Sequence, residues 1–124
     1  MGLDQYAYRV KKGIINGAIP KNIPSDDLEE IAYWRKHPNL QGWMEKLYND
    51  KGGSDMFNCE FVQLTENDLA RLQEDILHNL LVEADGPFWG SDADDYYRKG
   101  DLRFIHNAIN LISEGYDIVY YSWW

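Results

Sequence analysis

The sequence predicts an α+β fold: a small, mainly antiparallel sheet of N-terminal, central and C-terminal strands, with four or so helices packed on one face. Two observations predict it. Runs rich in aromatic and β-branched residues lie near both ends and at the middle of the chain, and helical periodicity fills the stretches between them. No repeat, low-complexity tract or linker divides the 124 residues, so a single domain is expected, large enough to bury one core.

Residues 2–10 alternate as a strand, with Tyr6, Tyr8 and Val10 on one face. Residues 11–24 hold Lys11, Lys12, glycines and prolines and read as a loop. After Pro24, Asp26 and Glu29 have the spacing of a capping box, which predicts a helix carrying Ile31 and Trp34 as far as His37-Pro38. A second helix is expected from Asn39 as N-cap, with Leu40, Trp43, Met44, Leu47 and Tyr48 as its apolar stripe and Gly52-Gly53 as its end. Residues 57–64 read as the central strand, with Phe57, Cys59 and Phe61 on one face. Thr65 and Asp68 then cap a helix whose stripe is Leu69, Leu72, Ile76, Leu80 and Leu81. Asp101 is expected to be the N-cap of a last helix with Leu102, Ile105, Ile109 and Ile112 inward and Gly115 past its end. Residues 116–123 close the chain as a strand paired with the first.

Composition sets bounds on function. With 12 basic and 21 acidic residues the net charge is −9, which argues against direct gripping of nucleic-acid phosphates and for a basic partner or plain solubility. The one cysteine, Cys59, excludes an internal disulfide and a cysteine-built zinc site. The N-terminus lacks a signal pattern and no apolar run is long enough to span a bilayer, so a cytosolic, unanchored protein is expected.

Motifs of catalysis are missing. There is no nucleophile elbow and no glycine-rich phosphate loop, and His37, His78 and His106 fall in separate elements without metal-ligand spacing. No cofactor, metal or catalytic residue is expected. Two features point instead to contact with a partner. Carboxylates crowd into Asp26, Asp27, Glu29 and Glu30, and into Glu83, Asp85, Asp92, Asp94 and Asp95, where acidic helices and an acidic loop imitate a row of DNA phosphates. Trp89, Tyr96 and Tyr97 flank the second group. Aromatics also occur in short runs such as Tyr6/Tyr8 and Tyr120-Tyr121, Trp123-Trp124. Adjacent strand residues face opposite ways, so such runs cannot all enter one core, and some rings are expected on a surface or in a pocket. A second reading has these rings stack on a nucleotide-like ligand while Arg9, Lys11, Lys12 and Arg35 meet its phosphate.

The opening Met1-Gly2-Leu3-Asp4-x-Tyr6-x-Tyr8, the run Glu30-Ile31-Ala32-Tyr33-Trp34-Arg35-Lys36 with Leu40-x-Gly42-Trp43-Met44, and the closing Tyr120-Tyr121-Ser122-Trp123-Trp124 resemble a family of small bacteriophage proteins, over nearly the whole chain. The family brings no catalytic residue with it. What the resemblance implies, by analogy with other small acidic phage proteins, is binding and inhibition of host machinery in the host cytosol, such as a CRISPR effector or another defence complex. The partner would be a host protein with a basic surface, met through Asp26, Asp27, Glu29, Glu30, Glu83, Asp85, Trp89, Asp92, Asp94, Asp95, Tyr96 and Tyr97.

Overall fold

A computed structural model describes residues 2–81 and 94–124, without the side chains of 94–96. Four strands form one antiparallel sheet in the order β2-β1-β4-β3: β1 (Asp4–Lys11), β2 (Glu29–Arg35), β3 (Glu60–Leu64) and β4 (Tyr116–Trp123). Three helices accompany it among the described residues: α1 (Pro38–Asp50), α2 (Glu66–Leu77) and α3 (Asp94–Ser113). The class is α+β, and the first and last strands pair along their full length, from Asp4 against Trp123 to Lys11 against Tyr116.

The sheet gains a strand at the expense of a helix. Where Asp26 and Glu29 suggested a capped helix, residues Ser25–Asp27 make one 3₁₀ turn and Glu29–Arg35 is strand β2. Local capping signals lost to pairing with β1, which puts Trp34 opposite Gln5 and buries its indole. Between Pro24 and Pro38 a strand satisfies its main chain against β1 and uses the aromatic and β-branched residues that suit a pleated surface. Glu29 and Glu30 therefore point to opposite sides of a sheet rather than sharing a helix turn.

Other boundaries shift for identifiable reasons. Helix α1 begins with Pro38 at its first position and His37 as N-cap, one step ahead of Asn39, because proline's fixed φ suits the first turn. Its stripe holds, with Leu40, Met44, Leu47 and Tyr48 buried and Trp43 half-buried. The central strand starts only at Glu60. Cys59 sits at φ 63° and is exposed, so the expected Phe57–Cys59–Phe61 face does not form, and Val62 and Leu64 supply the core face instead. Helix α2 has the Thr65/Asp68 capping box in full, but ends at Leu77, leaving Leu80 beyond it and exposed. Asp101 is no cap: it lies inside α3, buried on the same stripe as Phe104, Ile105, Ala108 and Leu111. The stripe is turned from the expected one, and Leu102, Ile109 and Ile112 are only half-buried. Gly115, at φ 98°, makes the left-handed turn from α3 into β4 that a side chain would resist.

One face of the sheet carries the core. Ala7, Trp34, Val62, Leu64, Ile118 and Tyr120 pack with the helix stripes in one cluster. The segment after β1 reaches the outer edge of β3, where Gln63 N–H donates to the Ala18 carbonyl at 2.9 Å. Among the described residues no helix is long and apolar enough to cross a membrane.

Candidate functional site

Strand alternation sends the other half of the residues to the face away from this cluster, and there the aromatics line up. The Tyr33, Tyr6, Tyr121 and Phe61 rings, one from each strand, form a continuous row with centroids 5.1, 6.5 and 4.7 Å apart, and Tyr8 stacks on Tyr6 at 5.9 Å. The register explains the row: Tyr6 is directly opposite both Tyr33 and Tyr121, and Tyr121 is opposite Phe61. Tyr33 is 48% exposed and Trp123, on the same face, 44%. Rings this open, held edge to edge by a rigid sheet, have the character of interface anchors, which lose little entropy when covered.

Carboxylates border the row. Asp4 accepts a hydrogen bond of 2.5 Å from the Tyr33 hydroxyl, Glu30 lies opposite Tyr8, and Asp117 lies opposite Val10. Arg35, opposite Asp4, is the one basic strand residue on this face. The hydrogen bond to Asp4, with smaller help from burial, pushes the Tyr33 phenol up to about 12. Burial and the neighbouring Cys59 thiol push Tyr121 up to about 12 as well, and burial with Tyr6 and Glu30 nearby raises Tyr8. All three phenols therefore stay neutral donors at physiological pH.

The residues expected to meet a partner divide into groups. Glu30 borders the tyrosine row, Asp26 and Asp27 lie in the turn leading to β2, and Glu29 is engaged by Arg9 at 2.9 Å. Glu83, Asp85, Trp89 and Asp92 lie outside the described residues, as do the side chains of Asp94, Asp95 and Tyr96. Tyr97 is used within the fold. Its ring stacks on His37 at 4.0 Å and its hydroxyl donates to the Arg35 carbonyl at 2.7 Å. The aromatics that do line a surface come from the strands. Their signal was present in the alternation of Tyr6 and Tyr8 and of Tyr120 and Tyr121, but Tyr33 was hidden by the helix reading of its segment.

The four cations offered to a phosphate do not gather. Arg35 is opposite Asp4 at one end of β1, while Lys11 is seven residues on, roughly 23 Å along the strand. Arg9 is held by Glu29 and lies over the Tyr116 ring at 4.7 Å. A groove of about 690 Å³ between α1 and α2, walled by Trp43, Leu47 and Leu80, has the size of a ligand site, but its carboxylates Asp50, Glu74 and Asp75 outnumber Lys46 and Arg71, and both cations are already paired with aspartates.

A buried histidine–aspartate pair has catalytic components without access. His37 Nε2 is 2.7 Å from Asp101 Oδ2, and the Trp34 indole donates to Oδ1 at 2.8 Å. Gln5 clasps the His37 main chain by both its amide atoms and donates to Tyr120, whose hydroxyl donates to Gln41. The void beside the pair measures about 10 Å³, room for one water at most. The network is a polar seam of the core. Among the described residues no group of three or more His, Cys, Asp or Glu gathers as a metal site.

Comparison with family models, curated proteins and solved structures finds no match to this chain.

Proposed function

We propose that this is an acidic protein-interaction module that docks onto a basic surface of a host protein through the tyrosine face of its sheet, and that it acts as a phage-encoded inhibitor of a nucleic-acid-binding defence complex. The observation that carries the docking reading is the row Tyr33–Tyr6–Tyr121–Phe61, half-open and bordered by Asp4, Glu30 and Asp117. Such a patch combines apolar contact area with charge that steers a basic partner. The net charge of −9 supports a basic protein as the partner rather than the nucleic acid it handles. The inhibitory role and phage origin rest on the resemblance of the terminal and central sequence runs.

The test is capture from host lysate on immobilised wild-type protein and on the double variant Tyr6→Ser, Tyr33→Ser, at low and high salt. A basic protein retained by the wild type, released by salt and lost with the variant is the expected result. Equal retention by both proteins would remove the tyrosine face from consideration.

A further inference from the structure

We infer that the edge of β2, facing α3, is a slot for an extended acidic peptide, which adds to the sheet as a fifth strand. This slot uses the main-chain edge of β2 rather than the rings of the tyrosine face, and does not depend on the reading given to that face.

The geometry begins with strand order. β2 is an outer strand, and while the outer edge of β3 is engaged by Ala18, no backbone bond to the outer side of Tyr33 exists among the described residues. Lys36 N–H donates to the Leu3 carbonyl, so Leu3 and Lys36 form a hydrogen-bonded pair. Antiparallel pairs alternate, so Trp34 also bonds to β1 and the main chains of Tyr33 and Arg35 turn outward. The Arg35 carbonyl is taken by the Tyr97 hydroxyl, which among the described residues leaves the Tyr33 N–H and C=O and the Arg35 N–H as an open ladder.

That ladder opens into a cleft of about 720 Å³. Residues 31–35, five in succession, line it. Side chains of successive strand residues point to opposite faces, so only the strand's edge can present all five. The opposite wall is a stripe of α3 that includes Arg103, Asn107 and Asn110, with His106 beside it. A strand edge facing a helix, with polar side chains reaching across, is the arrangement by which sheets accept peptides by β-augmentation.

Charge selects the peptide. In a protein of net charge −9, two basic residues, Arg35 and Arg103, line this cleft, neither in an ion pair among the described residues. The one carboxylate in its lining among the described residues, Asp101, is 2% exposed, and its two oxygens are taken by Trp34 and His37. Among the described residues the cleft therefore sets two basic side chains beside open main-chain donors, which fits a strand carrying Asp or Glu.

The experiment is an NMR titration of the full nitrogen-labelled chain with the blocked peptide Glu-Val-Glu-Val-Glu-Val, its Lys-Val counterpart, and a Glu-Val peptide N-methylated at alternate residues. The Glu-Val peptide is expected to shift the Tyr33 and Arg35 amides and slow their exchange with solvent. Arg103→Glu, an exposed helix position, should weaken it about tenfold or more. The other two peptides should leave these amides unmoved. The inference is overturned if the Glu-Val peptide does not perturb these amides, if the shifts fall on Tyr6, Tyr121 and Phe61 instead, if the Lys-Val or N-methylated peptide binds equally, or if Arg103→Glu changes nothing. A single-stranded oligonucleotide that shifts the same amides while the peptide does not would also overturn it.

Discussion

His37 and Asp101, 64 positions apart, meet at 2.7 Å in the core, joining the start of α1 to the middle of α3. The same carboxylate takes the Trp34 indole from β2. One side chain thus fixes three elements where the sheet edge meets the helices, and the two bonds give α3 its rotation about its axis. A carboxylate in this place is tolerated only because both oxygens have partners.

Removing that carboxylate strands the Trp34 indole N–H and the His37 ring nitrogen. Asp101→Ala is expected to lose about 3 kcal/mol of unfolding free energy, the cost of leaving buried polar groups unpaired. Asp101→Asn keeps an acceptor for Trp34 and should lose less. Urea unfolding monitored by tryptophan fluorescence measures both. An Asp101→Ala midpoint equal to that of the wild type would show that the seam contributes nothing.

A second carboxylate ties α2 to α1. Asp68 accepts from Lys51, from Arg71 at 2.9 Å and from the Thr65 main chain at 2.9 Å. Burial pushes its carboxyl up, but these hydrogen bonds outweigh burial and hold it below the usual range. A depressed carboxyl stabilises the fold above the unfolded value of about 4 and loses that contribution as pH falls through the folded value. Asp68→Ala should therefore cost about 2 kcal/mol at neutral pH, through the lost cap and ion pairs. The wild-type and variant stability curves should converge in acid. Parallel curves down to the acid limit would contradict this.

Much of this arrangement was legible from residues alone, and what was not has physical causes. The α1 stripe, the Thr65/Asp68 cap and the alternation within the terminal strands are local or periodic signals that the core agrees with. Strand β2 was not legible because Asp26 and Glu29 are good helix-capping residues, and only the partner strand β1 decides against them. Asp101 was misplaced for a related reason: an aspartate after Gly100 looks like a cap, and only Trp34 and His37, distant in sequence, reveal it as a core residue. The tyrosine row needed the register. Alternation implies exposed rings, but which rings align depends on pairings such as Tyr6 with Tyr33.

The tyrosines should titrate unevenly. Tyr33, held by Asp4, ionises near 12, about two units above a free phenol. A phenol raised in the fold stabilises it fully below pH of about 10, and this contribution fades as pH rises through the folded value. Asp4→Ala should return Tyr33 towards the ordinary value, visible as an earlier tyrosinate absorbance step. An unchanged titration curve would mean that the Tyr33–Asp4 bond does not form in solution.

Cys59 offers a direct probe of the tyrosine face. It stands in the left-handed region at φ 63°, exposed, and its thiol lies close enough to Tyr121 to help raise that phenol. An exposed thiol needs no unfolding to react, so a maleimide should label the native protein as fast as it labels the urea-unfolded chain, without loss of the cooperative melt. Had Cys59 been the core residue that its place in an alternating run suggested, labelling would wait on opening of the fold. A bulky adduct there stands beside Tyr121 and Phe61, and should block a partner that docks on the row while leaving peptide binding at the β2 edge intact. Loss of both activities on labelling would point to a disturbed sheet, and loss of neither would place the docking surface elsewhere.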